Sequence, residues 1–106
     1  MIIAVDMSQR PGSVALLAPD DFGGFHVEVP GAAVDTELAG VVSTFGRLTD
    51  DGTHVFVEVG AIRDLAGDRA DDVRWQASFD GMLAYADAHG WRDADGRVRA
   101  HVQRSD

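Results

Sequence analysis

The chain contains no cysteine, no lysine and no asparagine. Without cysteine it forms no disulfide, offers no thiolate nucleophile and ligates no metal or iron–sulfur cluster through sulfur. Without lysine it forms no Schiff base, which excludes covalent aldolase and pyridoxal phosphate chemistry within this chain. All nine cationic side chains are therefore arginine. With abundant Ala, Gly, Asp and Val, this is the composition of a GC-rich genome, and arginine usage by itself says little about a site. Long apolar runs are also missing, and none approaches the roughly 20 residues that a membrane-spanning helix needs. The opening Met1-Ile2-Ile3-Ala4-Val5-Asp6 has neither a basic leader nor an extended apolar segment. The expectation is a cytoplasmic protein with no membrane partner.

Cations are few as well as uniform, nine against 18 acids for a formal charge of −9. The arginines are scattered among aspartates, which opposes binding to nucleic acid or an anionic bilayer, since both need clustered cations to replace counterions. Mutual repulsion that keeps the chain dispersed accounts for the acidity. Compact chemical motifs are absent too. No GxGxxG or P-loop cradles phosphate, no G-x-S-x-G elbow frames a serine, and no H-E-x-x-H or H-x-x-x-H pair presents a ready metal site. No cofactor is implied.

What is present suits one α+β domain spanning residues 1–106, long enough to bury about 60–70% of its unfolded surface. Apolar and β-branched residues at Ile2 to Val5 and Ser13 to Ala18 predict short strands about a turn at Arg10-Pro11-Gly12. Period-two alternation predicts further strands over Phe25–Val29, Thr53–Val59 and Arg97–Gln103. Val34, Leu38, Val41, Val42, Phe45 and Leu48 recur at helical spacing, and Ile62 and Leu65 suggest a turn or two of helix ending at Gly67. The longest amphipathic stripe is Val73, Trp75, Phe79, Met82, Leu83 and Ala86, with Asp71 or Asp72 as its cap, Gly90 as its stop and Trp91 folded back on the last turn. His89 near that end suits a helix C-terminus, and Tyr85 packs with its hydroxyl outward. The architecture expected is a four- or five-stranded antiparallel or mixed sheet with two main helices on one face.

Alternation also sorts the polar residues. Opposite the valines lie His26 and Glu28; His54, Phe56 and Glu58; and Arg97, Arg99, His101 and Gln103. Each strand contributes one histidine. The leading expectation is a small acidic binding or interaction protein, a homodimer, that engages a small-molecule ligand or protein partner through this face with His26, Phe56, Arg97 and Arg99. An aromatic among charges on a polar face implies a cover. The alternative is a small lyase, isomerase or cyclase in which His54 and His101 work with Glu28 and Glu58 in acid–base catalysis, imidazole titrating near neutrality and carboxylate fixing its tautomer. A third possibility is a metal enzyme using His26, His54 and His101 with Glu28 or Glu58.

Overall fold

Strand β1, Ile2–Asp6, pairs antiparallel with β2, Ser13–Leu17, and every second residue of β1 enters the core. The computed structural model describes residues 1–9 and 12–105; Arg10 and Pro11, where the sequence places a turn, lie outside the described residues. The chain then crosses to the other flank of β1, where β3, His26–Pro30, pairs in parallel with Ile2 opposite His26. Helix α1, Asp35–Val42, leads to the short β4, Gly46–Leu48, and β5, His54–Val57, returns antiparallel to it. Helix α2, Val59–Ala66, passes through a 3-10 segment at Gly67–Asp71 into α3, Val73–Ala88. The last strand, β6, Val98–Ser105, inserts between β3 and β5, giving the order β2-β1-β3-β6-β5-β4.

The sheet is therefore mixed, with β1, β3 and β6 parallel at its centre. Ile3, Val5, Val27, Val29, Val55, Val57, Val98, Ala100 and Val102 are buried on one face, and Leu38, Val42, Ile62, Trp75 and Phe79 of the helices close over them. Among the described residues no polar side chain is buried, so apolar area carries the core, and a fully buried Phe or Ile contributes about 1.5–3 kcal/mol. No described helix is long and apolar enough to cross a membrane.

Six strands and three helices replace the expected four or five and two. The extra strand comes from the helix expected to run through Phe45 to Leu48, which stops at Val42. There the hydroxyls of Ser43 and Thr44 donate to the carbonyls of Gly40 and Val41 at 2.6 and 2.7 Å, competing with helix propagation. The next residue but one, Gly46, has no Cβ to hold β4 away from β5: one built there would lie 2.3 Å from the Phe56 carbonyl oxygen. The strand expected through Val59 ends at Val57, and α2 begins at Val59. Helix α3 follows the expected stripe except at Val73, which is 77% exposed in the first turn. Asp72 rather than Asp71 is its cap, accepting from the amides of Arg74 and Trp75 at 2.7 and 3.3 Å. At the other end Gly90 has φ +70°, Trp91 N–H donates to Ala86 O at 2.9 Å and Gly90 N–H to Asp87 O at 3.1 Å, the paired bonds of a Schellman cap.

Candidate functional site

Register brings the three strand histidines into one row. His101 of β6 lies opposite His26 of β3 on one side and His54 of β5 on the other. Their side chains share the face away from the helices, because Val27, Val55, Ala100 and Val102 face the core. Ile2 and Leu17 continue the row on β1 and β2. His54 and His101 make ring contact edge to face, centroids 5.4 Å apart at 74°. His26 is engaged elsewhere, with Nδ1 2.8 Å from Gly24 O and Nε2 3.2 Å from Glu28 Oε1. The Gly24 carbonyl can only accept, so Nδ1 carries the proton of that bond.

The carboxylates expected beside His54 and His101 are committed to other partners. Glu28 pairs with His26. Glu58 lies just beyond β5, at the N-cap of α2, and accepts from Arg97 Nε at 2.7 Å. Arg97 precedes β6 and also reaches Asp93 and Asp95 at 3.3 Å, so it ties the loop before β6 to the start of α2. The Glu58 hydrogen bond raises the Arg97 pKa, outweighing the effect of burial. Burial works against ionised Asp93, yet hydrogen bonds from the Arg97 backbone and side chain hold its pKa below the usual value. Phe56 stands in register between Arg47 and Arg99. Among the described residues no group of three or more His, Asp or Glu is placed to hold a metal ion.

A different carboxylate reaches His54. Asp51 Oδ1 accepts from the hydroxyls of Thr49 and Thr53, both at 2.7 Å, and from the Thr53 amide at 3.1 Å. These bonds lower its pKa from 3.8 to about 2, the Thr49 hydroxyl contributing most. Thr53 has one hydroxyl proton, and Asp51 takes it. The Thr53 oxygen, 2.8 Å from His54 Nδ1, must then accept, which places the proton on Nδ1 and leaves Nε2 bare in the neutral ring.

Beside the histidines opens a cavity of about 840 Å³. Its origin is a mismatch in strand length. Because His26 pairs with His101, residues 98–100 of β6 run past the start of β3. Trp91 covers part of that flank, its carbonyl accepting from the Arg99 amide at 2.7 Å, and a notch remains between Trp91 and Phe25. Phe22, Phe25, Met82, Tyr85 and Trp91 supply apolar and aromatic walls, while His54, Ser78, Arg99 and His101 supply the polar part of the lining. Gly81, in the middle of α3, also lines the space, and a Cβ there would meet nothing within 4 Å. A mid-helix glycine costs about 1 kcal/mol against alanine, and here it leaves room in the cavity. Tyr85, His89 and Trp91 form a closed ring cluster with centroids 4.1, 4.6 and 5.6 Å apart.

The polar face expected from alternation thus contributes His54, Arg99 and His101 to the cavity, whereas Glu28, Glu58, Phe56, Arg97 and His26 are not among its lining residues. Phe22, Phe25, Met82 and Gly81 were not legible as site residues. Their signals are a glycine inside an amphipathic helix and Gly23-Gly24 ahead of an aromatic strand start, each common in proteins without a cavity. Comparison of the chain with family models, curated proteins and solved structures found no match.

Proposed function

We propose that the protein is a small-molecule-binding module whose ligand occupies the cavity between α3 and β6. The observation that carries this is a space of about 840 Å³ with aromatic walls and a few convergent polar side chains, inside the 300–1,000 Å³ range and of the lining typical of ligand sites. Gly81 supports it, since α3 forgoes a better helix former at a position where a side chain would take up the space. Replacing Gly81 by leucine provides the test. The helix tolerates leucine well, so the variant should fold with unchanged or higher thermal stability. It should also lose saturable binding of the neutral fluorophore N-phenyl-1-naphthylamine. Undiminished binding in a folded Gly81→Leu protein would locate the fluorophore elsewhere and remove the basis for the proposal.

Acid–base catalysis on the bound molecule is a second reading, favoured by the Asp51–Thr53–His54 chain. Fixing the proton on Nδ1 leaves Nε2 of His54 as the nitrogen able to take a proton, with His101 next to it. In this form the carboxylate behind the histidine is Asp51, acting through Thr53, not Glu28 or Glu58. A ligand recovered chemically unchanged after prolonged incubation supports binding alone; conversion abolished by His54→Gln supports lyase, isomerase or cyclase chemistry.

A further inference from the structure

We propose that the cavity selects an aromatic monoanion, its ring held among Phe25, Tyr85 and Trp91 and its carboxylate or sulfonate paired with Arg99 and His101. This selectivity rests on the binding function proposed above. Three observations converge on it. The chain has 18 acidic residues, yet none of those among the described residues lines the cavity. Arginines 63, 69, 92, 97 and 104 each pair with a carboxylate, whereas Arg47, Arg74 and Arg99 have no side-chain hydrogen bond or ion pair among the described residues, and of these three only Arg99 lines the cavity. A guanidinium beside an apolar space, with no acid in the lining among the described residues, is complementary to a bound anion and can engage it through two parallel hydrogen bonds.

The remaining polar groups sort themselves by what they can donate. Thr53 receives Nδ1–H of His54, so the neutral His54 ring has no second N–H to offer an anion. His101 lies two residues from Arg99 on the same strand face, about 6.6 Å along it, and its imidazole has no hydrogen-bonded partner among the described residues. The hydroxyls of Ser78 and Tyr85 also line the space and can donate, but Arg99 is the one arginine in the lining among the described residues, and with His101 two residues away a carboxylate or sulfonate fits between them. The net charge of −9 repels anions at long range, but a Debye length of about 8 Å at physiological salt screens distant carboxylates more than a guanidinium in direct contact. For the rest of the ligand, the aromatic walls favour flat rings, which stack on them or meet them edge to face.

Two fluorophores that share a ring system and differ in charge provide the test: 1-anilinonaphthalene-8-sulfonate, a monoanion, and neutral N-phenyl-1-naphthylamine. Each is titrated into the wild-type chain and into Arg99→Gln, with Arg74→Gln as a control for loss of a charge outside the cavity. Arg99 is exposed and makes no side-chain bond among the described residues, so Arg99→Gln should melt like the wild type. The expected result is one saturable site for both probes and tighter binding of the anion. Arg99→Gln should weaken the anion about tenfold or more, as loss of a charge-assisted hydrogen bond does, and shift the neutral probe less than about twofold. Arg74→Gln should change neither. Equal affinities, with no selective effect of Arg99→Gln, would overturn anion selectivity while leaving the binding function standing. Saturation by neither probe would overturn the binding function and the selectivity with it.

Discussion

Asp51 shows how one exposed carboxylate can organise both a turn and a side chain three residues away. It holds Thr49, Thr53 and, through Thr53, the tautomer of His54. Its pKa falls from 3.8 to about 2 on folding, so the unfolded chain binds the proton more readily than the folded one. The contribution of its ionised form is fully present above pH 3.8 and disappears as pH falls toward about 2. Denaturant midpoints of the wild type and Asp51→Asn should accordingly differ by a constant amount at neutral pH and converge on acidification through that window. A difference independent of pH down to 2 would show that the charge on Asp51 has no part in holding the turn. At the same scale the sequence was only half legible. Asp50-Asp51-Gly52 reads as a turn, but which oxygen accepts which hydroxyl depends on the fold of the loop, and alternation pointed instead to Glu28 and Glu58 as the carboxylates beside His54 and His101, whereas Glu28 pairs with His26.

Elements were more legible than their ends. Period-two alternation located β3, β5 and β6, and the stripe from Trp75 to Ala86 located α3, because burial on one face imposes those periods. What periodicity cannot weigh is competition at a boundary. Val41, Val42 and Phe45 fit a continuing helix, but hydroxyl-to-backbone bonds at Ser43 and Thr44 end it, and the close approach of β4 to β5 at Gly46 requires a strand there. Gly46→Ala would set a methyl against the Phe56 carbonyl, with contacts of 3.1 Å to its carbon and to Val57 Cα, all backbone atoms that cannot rotate away. Overpacking of this kind costs about 1–3 kcal/mol. Faster amide exchange in β4 and β5 than in β1 and β2 should accompany the loss. A variant as stable as the wild type, with β4 still protected, would mean that β4 does not need this approach.

At the scale of the molecule, the last strand does most to join distant parts of the chain. β6 sits between β3 and β5, and the pairing of His26 with His101 closes a long stretch of sequence. One face of the resulting sheet is sealed by helices. The other presents the histidine row, with Leu17 47% exposed at the edge strand. Pairing of two copies at the β2 edge of that face, where Leu17 is exposed and which β1 and β3 separate from Arg99 and His101, is the form of homodimer we propose. Sedimentation equilibrium should return twice 11.3 kDa for the wild type and 11.3 kDa for Leu17→Asp; a wild-type monomer at all accessible concentrations would exclude it. Strand order and register decided where the histidines met, and neither can be read from local pattern. The cavity was still less legible, since it arises from β6 outrunning β3, a difference between elements far apart in the sequence.

The central claim is that the space between α3 and β6 is a ligand site, and amide chemical-shift mapping with 1-anilinonaphthalene-8-sulfonate tests it most directly. The account predicts saturable shifts at Phe25, Met82, Trp91, Arg99 and His101, together with the Trp91 indole, and their loss in Gly81→Leu. Shifts centred on α1 or spread evenly over the surface, or a pattern that survives Gly81→Leu unchanged, would contradict it.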